Sequence, residues 1–287
     1  MYTAEINRKQ PAFLLLLVDQ SYSMSEPWGV GGKSKAQALA QIVNRVLSTA
    51  VVLCTKGDDR ILDYFEVGII GYGTDVIPAL PGATEERPVL PISEVGHNPL
   101  RVDQVRRKVP DGAGGLAEVS SAMAIWMDPL ANGTTPMVKA FDTAEKAAAL
   151  WCDRHPRSFP PVIINLTDGE SSDGDPGPAA ARLRAQATDD GNALVFNVHL
   201  SALDGNMAQF PSPGHPLPNA AAARLFDMSS ELPMTMAEAA SAMGYPIKPG
   251  ARGFLYNADQ AAVIEFLDIG TRGVTPSDPP ELTDGNN

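Results

Sequence analysis

This 287-residue sequence predicts an α/β fold in three layers: a doubly wound, mostly parallel central sheet with helices on both faces. Three observations carry the expectation. Residues 13–18 (FLLLLV) form an unbroken apolar run, too continuous for a strand with one wet face and right for one buried on both. Strand-like apolar runs then alternate with stretches of helical periodicity along most of the chain. Two of those runs end directly on a carboxylate, Asp19 and Asp168, at the edge where sheets of this kind collect their ligand-binding groups.

In chain order, residues 1–10 are polar and read as an N-terminal extension. The opening strand is followed by a Gly/Pro/Trp loop over 26–32. Ser34 with Gln37 three positions on makes a capping box. It opens a helix to about Thr55 whose apolar face carries Leu39, Ile42, Val43, Val46, Ala50 and Leu53. Gly57-Asp58-Asp59 stops it. Residues 65–72 (FEVGIIGY) are a second buried strand, and 74–80 a short hairpin partner for it. Residues 81–129 are rich in Pro and Gly. They hold Asp111-Gly-Ala-Gly-Gly115 and the basic set Arg101, Arg106, Arg107 and Lys108, which reads as a solvated helix face. A structureless loop of that length is unusual, so short helices or an insertion packed on the main domain are expected there. Residues 138–152 form an Ala-rich helix with Phe141, Ala144, Ala148, Trp151 and Cys152 on one face. Residues 162–167 (VIINLT) are a third strand, 178–190 a helix opened by Pro178, and 193–200 a fourth strand. Helices over 220–226 and 236–243, a short strand over 254–256 and a last amphipathic helix over 259–268 follow. Residues 271–287 have the composition of a disordered tail.

Composition bounds the function. The net charge of −12, from 34 acidic against 22 basic residues, argues against a nucleic-acid or anionic-membrane surface. Cys54 and Cys152 both sit in apolar helical stretches and read as reduced, buried thiols. No signal peptide or membrane span is visible, which points to the cytoplasm. No Gly-x-Ser-x-Gly elbow is present, and His97, His155, His199 and His215 lack zinc spacing, so the chain does not read as an enzyme.

After the first strand comes Asp19-Gln-Ser21-Tyr-Ser23. Alternate side chains of an extended or turning segment point the same way, so one carboxylate and two hydroxyls can converge. They offer only oxygen, the choice of hard divalent cations such as Mg2+. Asp and Ser are also ordinary turn residues, and the pattern gains weight only from Asp168 on the same edge. The loop from Asp168 to Asp175 adds Glu170, Asp173 and Asp175 without calcium-loop spacing; it reads as a solvated rim, with a second cation as the alternative. Gly32-Lys33-Ser34 raises a rival, a P-loop-like nucleotide site, but that pattern needs Gly where Pro27 stands and a strand running straight into the loop.

The set Asp19-x-Ser21-x-Ser23, Gly133-Thr-Thr135-Pro-Met and Leu166-Thr-Asp168-Gly169 resembles the von Willebrand factor A (vWA) domain, from about Pro11 to about Asp268. It is similar in particular to bacterial cytosolic vWA proteins associated with tellurium-resistance and stress operons. The resemblance implies one domain over 11–270, with 81–129 as an insertion or irregular segment within it. It also implies a metal-ion-dependent adhesion site (MIDAS) of Asp19, Ser21, Ser23, Thr135 and Asp168, with Thr134 as the alternative threonine. Mg2+ or Mn2+, with Ca2+ as a further option, would be held there with one position open to a Glu or Asp of a protein partner. The family's partners suggest a phosphatase, a kinase or an AAA-type ATPase. The alternatives are the P-loop-like site and a structural vWA fold without metal.

Overall fold

The computed structural model describes residues 2–28, 32–57, 60–110, 116–200 and 207–272. Its first strand, β1 (Ala12–Asp19), is buried at every position. Helix α1 (Lys35–Cys54) follows, then β2 (Phe65–Tyr72) and β3 (Val76–Pro78). Next come β4 (Val89–Pro91), α2 (Ile92–His97), β5 (Arg101–Pro110) and β6 (Leu116–Ile125). After them lie α3 (Met137–Arg154), β7 (Val162–Thr167), α4 (Gly177–Ala185) and β8 (Leu194–Leu200). The chain continues with β9 (Ala208–Gln209), α5 (Ala220–Met228), α6 (Met234–Ala242), β10 (Phe254–Ala258) and α7 (Gln260–Arg272).

The sheet runs β9-β10-β8-β7-β1-β2-β3, with β4 also paired to β2. β1 is parallel to both β2 and β7, and β8 is parallel to β7 and β10. Only β3, β4 and β9 run antiparallel to their neighbours. Alternation along β1 sorts its side chains into two layers. Leu14, Leu16 and Val18 join Leu39, Val43 and Leu47 of α1 and Val263 and Phe266 of α7. Phe13, Leu15 and Leu17 join Phe141, Ala144 and Trp151 of α3 and Leu183 of α4. This is the mixed, mostly parallel sheet with helices on both sides that the apolar runs predict.

From β1 the chain builds outward to β2 on one side and returns through α3 to β7 on the other, so β1 and β7 flank the point where the winding reverses. Loops at such a point diverge and leave a crevice beyond the strand ends. Asp19 closes β1 and Asp168 follows β7, so both carboxylates sit at that crevice.

Several expectations need correction. Residues 81–129 hold a strand and a short helix, then a long antiparallel hairpin of β5 and β6, registered from Arg101↔Ile125 to Pro110↔Leu116. The basic set therefore lies on a strand rather than a helix. Arg101 pairs with Asp103 and Asp128, while the side chains of Arg106, Arg107 and Lys108 lie outside the described residues. The hairpin's base is pinned to the body: the Asn44 amide oxygen of α1 accepts from the Trp126 and Met127 amides, and its Nδ2 donates to the Met127 carbonyl. Helix α4 ends at Ala185, not near 190, because Ala187–Thr188 and Gly191–Asn192 form a tight hairpin. On α1, Leu53 is exposed, while Leu47, absent from the expected face, is buried with Leu39 and Cys54. Strand β9 at the sheet's edge was not expected from the sequence. Asp58, Asp59, residues 111–115 and residues beyond 272 lie outside the described residues, as do 29–31.

Ser34 caps α1 with the expected reciprocal pair, its hydroxyl accepting from the Gln37 amide and the Gln37 side chain accepting from the Ser34 amide. Cys54 and Cys152 are free and buried, and burial pushes their thiols up to about 12 and about 11. Among the described residues, α1 is the one helix long and apolar enough to cross a bilayer, but its Leu39, Val43 and Leu47 are packed in the core.

Candidate functional site

The loop after β1 turns through a short 3-10 segment, Tyr22–Ser25, before reaching α1. That turn folds Ser21 and Ser23 together, with their hydroxyls 3.1 Å apart. The Ser23 hydroxyl donates to Asp168 Oδ1 at 2.7 Å, joining the β1 loop to the β7 loop across 145 residues of sequence. Asp19 is 1% exposed. Its Oδ1 accepts from the Ser21 amide at 2.8 Å and its Oδ2 from the Thr167 hydroxyl at 2.6 Å.

Thr135 arrives on a third loop, and backbone contacts bring it there. The Asn132 amide donates to the Gln20 carbonyl at 2.7 Å, and the Tyr22 amide to the Gly133 carbonyl at 3.2 Å. Gly133 adopts φ +75°, and a Cβ on it would lie 2.3 Å from the Thr74 nitrogen. Only glycine tolerates both. Gly133→Ala is expected to lower stability by about 2 kcal/mol or more and to shift this loop, measured by urea unfolding and by amide chemical shifts of Gln20 and Tyr22. A cost below about 0.5 kcal/mol with unmoved shifts would show that the loop tolerates a side chain there. Thr135 itself is buried. Its amide donates to the Ser172 hydroxyl and its carbonyl accepts from the Ser172 amide, locking the loop to the one after β7. Among the described residues the Thr135 hydroxyl makes no protein hydrogen bond, whereas Thr134 is exposed.

The structure brings Asp19, Ser21, Ser23 and Asp168 into one hydrogen-bonded set, with the Thr135 loop docked beside them. The sequence reading misses two residues. Thr167, the last residue of β7, holds Asp19. Lys35, the first residue of α1, is 4% exposed, and its ammonium lies 2.7 Å from both Asp168 Oδ2 and Glu26 Oε2. Polar Thr at the end of an apolar strand was a usable signal. A lysine at a helix start offers none, because most are solvated.

The charges explain each other. Burial raises the Asp19 carboxyl to about 6, against the pull of the Thr167 and Ser21 hydrogen bonds, and nearby Asp168 adds to the rise. Burial alone would lower the Lys35 ammonium, but its hydrogen bonds to Asp168 and Glu26 carry it above the usual lysine value. Burial pushes His199, stacked on Tyr256, down to about 4, so it stays neutral near pH 7. With the acids ionised, Asp19 and Asp168 in the site and Glu26 at its rim set three carboxylates against the one Lys35 ammonium, two negative charges from neutral, the charge of one divalent cation.

The donors suit such a cation by type: hydroxyls and carboxylates. Among the described residues no three His, Cys, Asp or Glu gather as a ligand set, so a cation here would rest largely on hydroxyls. The 168–175 loop is largely exposed, as a solvated rim is, and two of its acids also serve the fold. Asp173 accepts from the Val138 and Lys139 amides and caps α3, and Asp175 accepts from the Gly177 amide at the start of α4. Both therefore serve helix N-termini, where carboxylates are favoured. On the other flank, Lys33 reaches Gln41 and Ser34 serves as the cap of α1.

No protein-family model matches the chain, and no curated protein does. Among solved structures it is similar to proximal thread matrix protein 1 from the mussel byssus, with a zinc-occupied MIDAS motif. The identity is 14% and the TM-score 0.41, over 80% of this chain and 43% of that one. It is also similar to the pilus adhesin SpaC from Lactobacillus rhamnosus GG, at 12% identity and TM-score 0.48, over 95% of this chain and 31% of that one. The chain thus spans less than half the length of either. The fold class rests on this chain's own sheet order rather than on these likenesses.

Proposed function

We propose that the chain is a metal-ion-dependent protein-binding module of vWA type, holding Mg2+ or Mn2+ at Asp19, Ser21, Ser23, Thr135 and Asp168, and not an enzyme. The observation that carries the reading is the joined set of hydroxyls and carboxylates at the winding reversal, two negative charges from neutral. Neutral hydroxyls leave a dication incompletely neutralised, and a bound dication would supply affinity for an anionic oxygen from outside. A Glu or Asp side chain of a protein partner fits that requirement. The chain's own residues do the rest. Ser21 and Ser23 present their oxygens from one turn, Thr167 orients Asp19, and the Ser172 bonds hold the Thr135 loop in place. Phosphatase, kinase or ATPase partners and a stress-operon setting come from the family resemblance alone, and nothing in the site chooses among them.

The test is Mn2+ titration by calorimetry and thermal unfolding, with wild type beside Ser21→Ala/Ser23→Ala. Wild type is expected to gain stability with Mn2+ and to lose the gain in EDTA. The double variant should fold and show at least a tenfold weaker response, since losing even a group that only orients a ligand costs metal affinity on the order of ten- to a hundredfold. Acetate added to the Mn2+-loaded protein should perturb the Mn2+ resonance in electron paramagnetic spectra. No Mn2+ effect on wild type would end the metal reading, and bound Mn2+ indifferent to acetate would end the docking step.

A further inference from the structure

Lys35 occupies a place that helix physics gives to an acid. As the first residue of α1 it puts a cation at the positive end of the helix dipole, with no acidic residue in the first turn to offset it. It is also almost wholly buried, where an unpaired ammonium would be costly. Two carboxylates compensate, and they differ. The Asp168 side chain is 1% exposed and belongs to the site, whereas the Glu26 side chain is 60% exposed and stands at the rim; both lie 2.7 Å from the same nitrogen.

Building on the metal reading above, we infer that Lys35 is an internal counter-cation. It holds Asp168 in the metal-free protein, and a divalent cation must displace it toward Glu26. The geometry contains both ends of that exchange. Ser23 fixes Asp168 Oδ1, so the ammonium competes for Oδ2, and Glu26 is already in contact to receive it when Asp168 turns to the metal. Two consequences follow. The resting site stays charge-compensated and folded without metal. Its affinity for a dication is set lower than its hydroxyls and carboxylates alone would give, so metal occupancy answers to the partner's carboxylate as well as to the metal's concentration.

The experiment is Mn2+ titration by calorimetry and thermal shift on wild type, Lys35→Met and Glu26→Gln. Methionine keeps the unbranched stem and removes the charge. Removing a positive charge a few ångströms from a dication is expected to tighten Mn2+ binding by roughly tenfold or more. Glu26→Gln takes away the place to which the ammonium retreats, at a mostly exposed side chain, and is expected to weaken Mn2+ binding several-fold. Affinities unchanged in both variants, with wild type binding Mn2+, would overturn the exchange and leave the metal site standing. No Mn2+ response in any of the three proteins would overturn the metal site itself, and the inference with it. Should Lys35→Met not fold, Glu26→Gln decides: weakened binding supports the exchange, and unchanged binding overturns it.

Discussion

Asp168→Ala is expected to destabilise the metal-free protein by about 3 kcal/mol, because removing one partner of a buried pair strands the other charge. Lys35 is the charge that would be stranded. Its side chain is 5% exposed, and without Asp168 only Glu26, 60% exposed, is left to compensate it. Ser23 loses its acceptor in the same step. Asp168→Asn separates the two losses. It keeps an oxygen for Ser23 and removes the charge facing Lys35, so it should recover about 1 kcal/mol of the loss, the usual worth of one hydrogen bond. Both variants should lose Mn2+ stabilisation. Urea unfolding in EDTA measures the first effect and thermal shift with Mn2+ the second. An Asp168→Ala protein within about 0.5 kcal/mol of wild type in EDTA would mean that the ammonium escapes to water, and that the buried pair does not hold the loop.

What could be read from the sequence was whatever burial dictates locally. An apolar run with no polar break has to be covered on both faces, and β1 is. Its two-fold alternation then hands Phe13, Leu15 and Leu17 to one helix layer and Leu14 and Leu16 to the other, as the register requires. The carboxylates at the ends of β1 and β7 were legible for the same reason. A charged residue directly after a buried strand must emerge at the sheet edge, and parallel strands bring their ends to one edge. The capping box of Ser34 and Gln37 was legible because it is a contact between near neighbours.

What stayed hidden depended on partners far apart in sequence. Lys35 meets Asp168 across 133 residues, and nothing local marks it off from a solvated lysine. The β5–β6 hairpin was hidden differently. Apolar and polar residues do not alternate cleanly along either strand, and near the base Val102 is exposed, so the two-residue alternation that betrays a strand is faint. The overlong reading of α4 has a third cause. No Gly or Pro stands between Ala185 and Gly191, so nothing local marks the helix end that the Thr188–Gly191 turn brings. Buried polar residues in the central strands were visible but given no role. Tyr72 donates to Asn165, Asn165 to Asn197, and Asn197 to Ser229 at the end of α5, a hydrogen-bonded line under the site.

Asp19→Asn should raise the stability of the metal-free protein near pH 7 while abolishing its gain from Mn2+. The Asp19 carboxyl is raised by burial from an ordinary 3.8 to about 6. A carboxyl raised on folding binds its proton more tightly in the folded state. Its contribution to stability is therefore complete below about pH 4 and is lost as the pH climbs through about 6. Two pH units correspond to a ceiling of about 3 kcal/mol. Asparagine carries no proton to lose, and its amide oxygen still accepts from the Ser21 amide. Thr167 must turn its hydroxyl to accept from the new NH2, a rotation that recovers part of one hydrogen bond. The expected net gain at pH 7 is about 1–2 kcal/mol in EDTA, with a flatter profile between pH 4 and 7 than wild type shows. Mn2+ reverses the order, because wild type uses the carboxylate and the variant has none to offer. An asparagine protein that is less stable than wild type in EDTA at pH 7 would show that the hydrogen bonds to Asp19 outweigh the cost of burying its charge. It would also remove the electrostatic strain that makes a cation welcome at this edge.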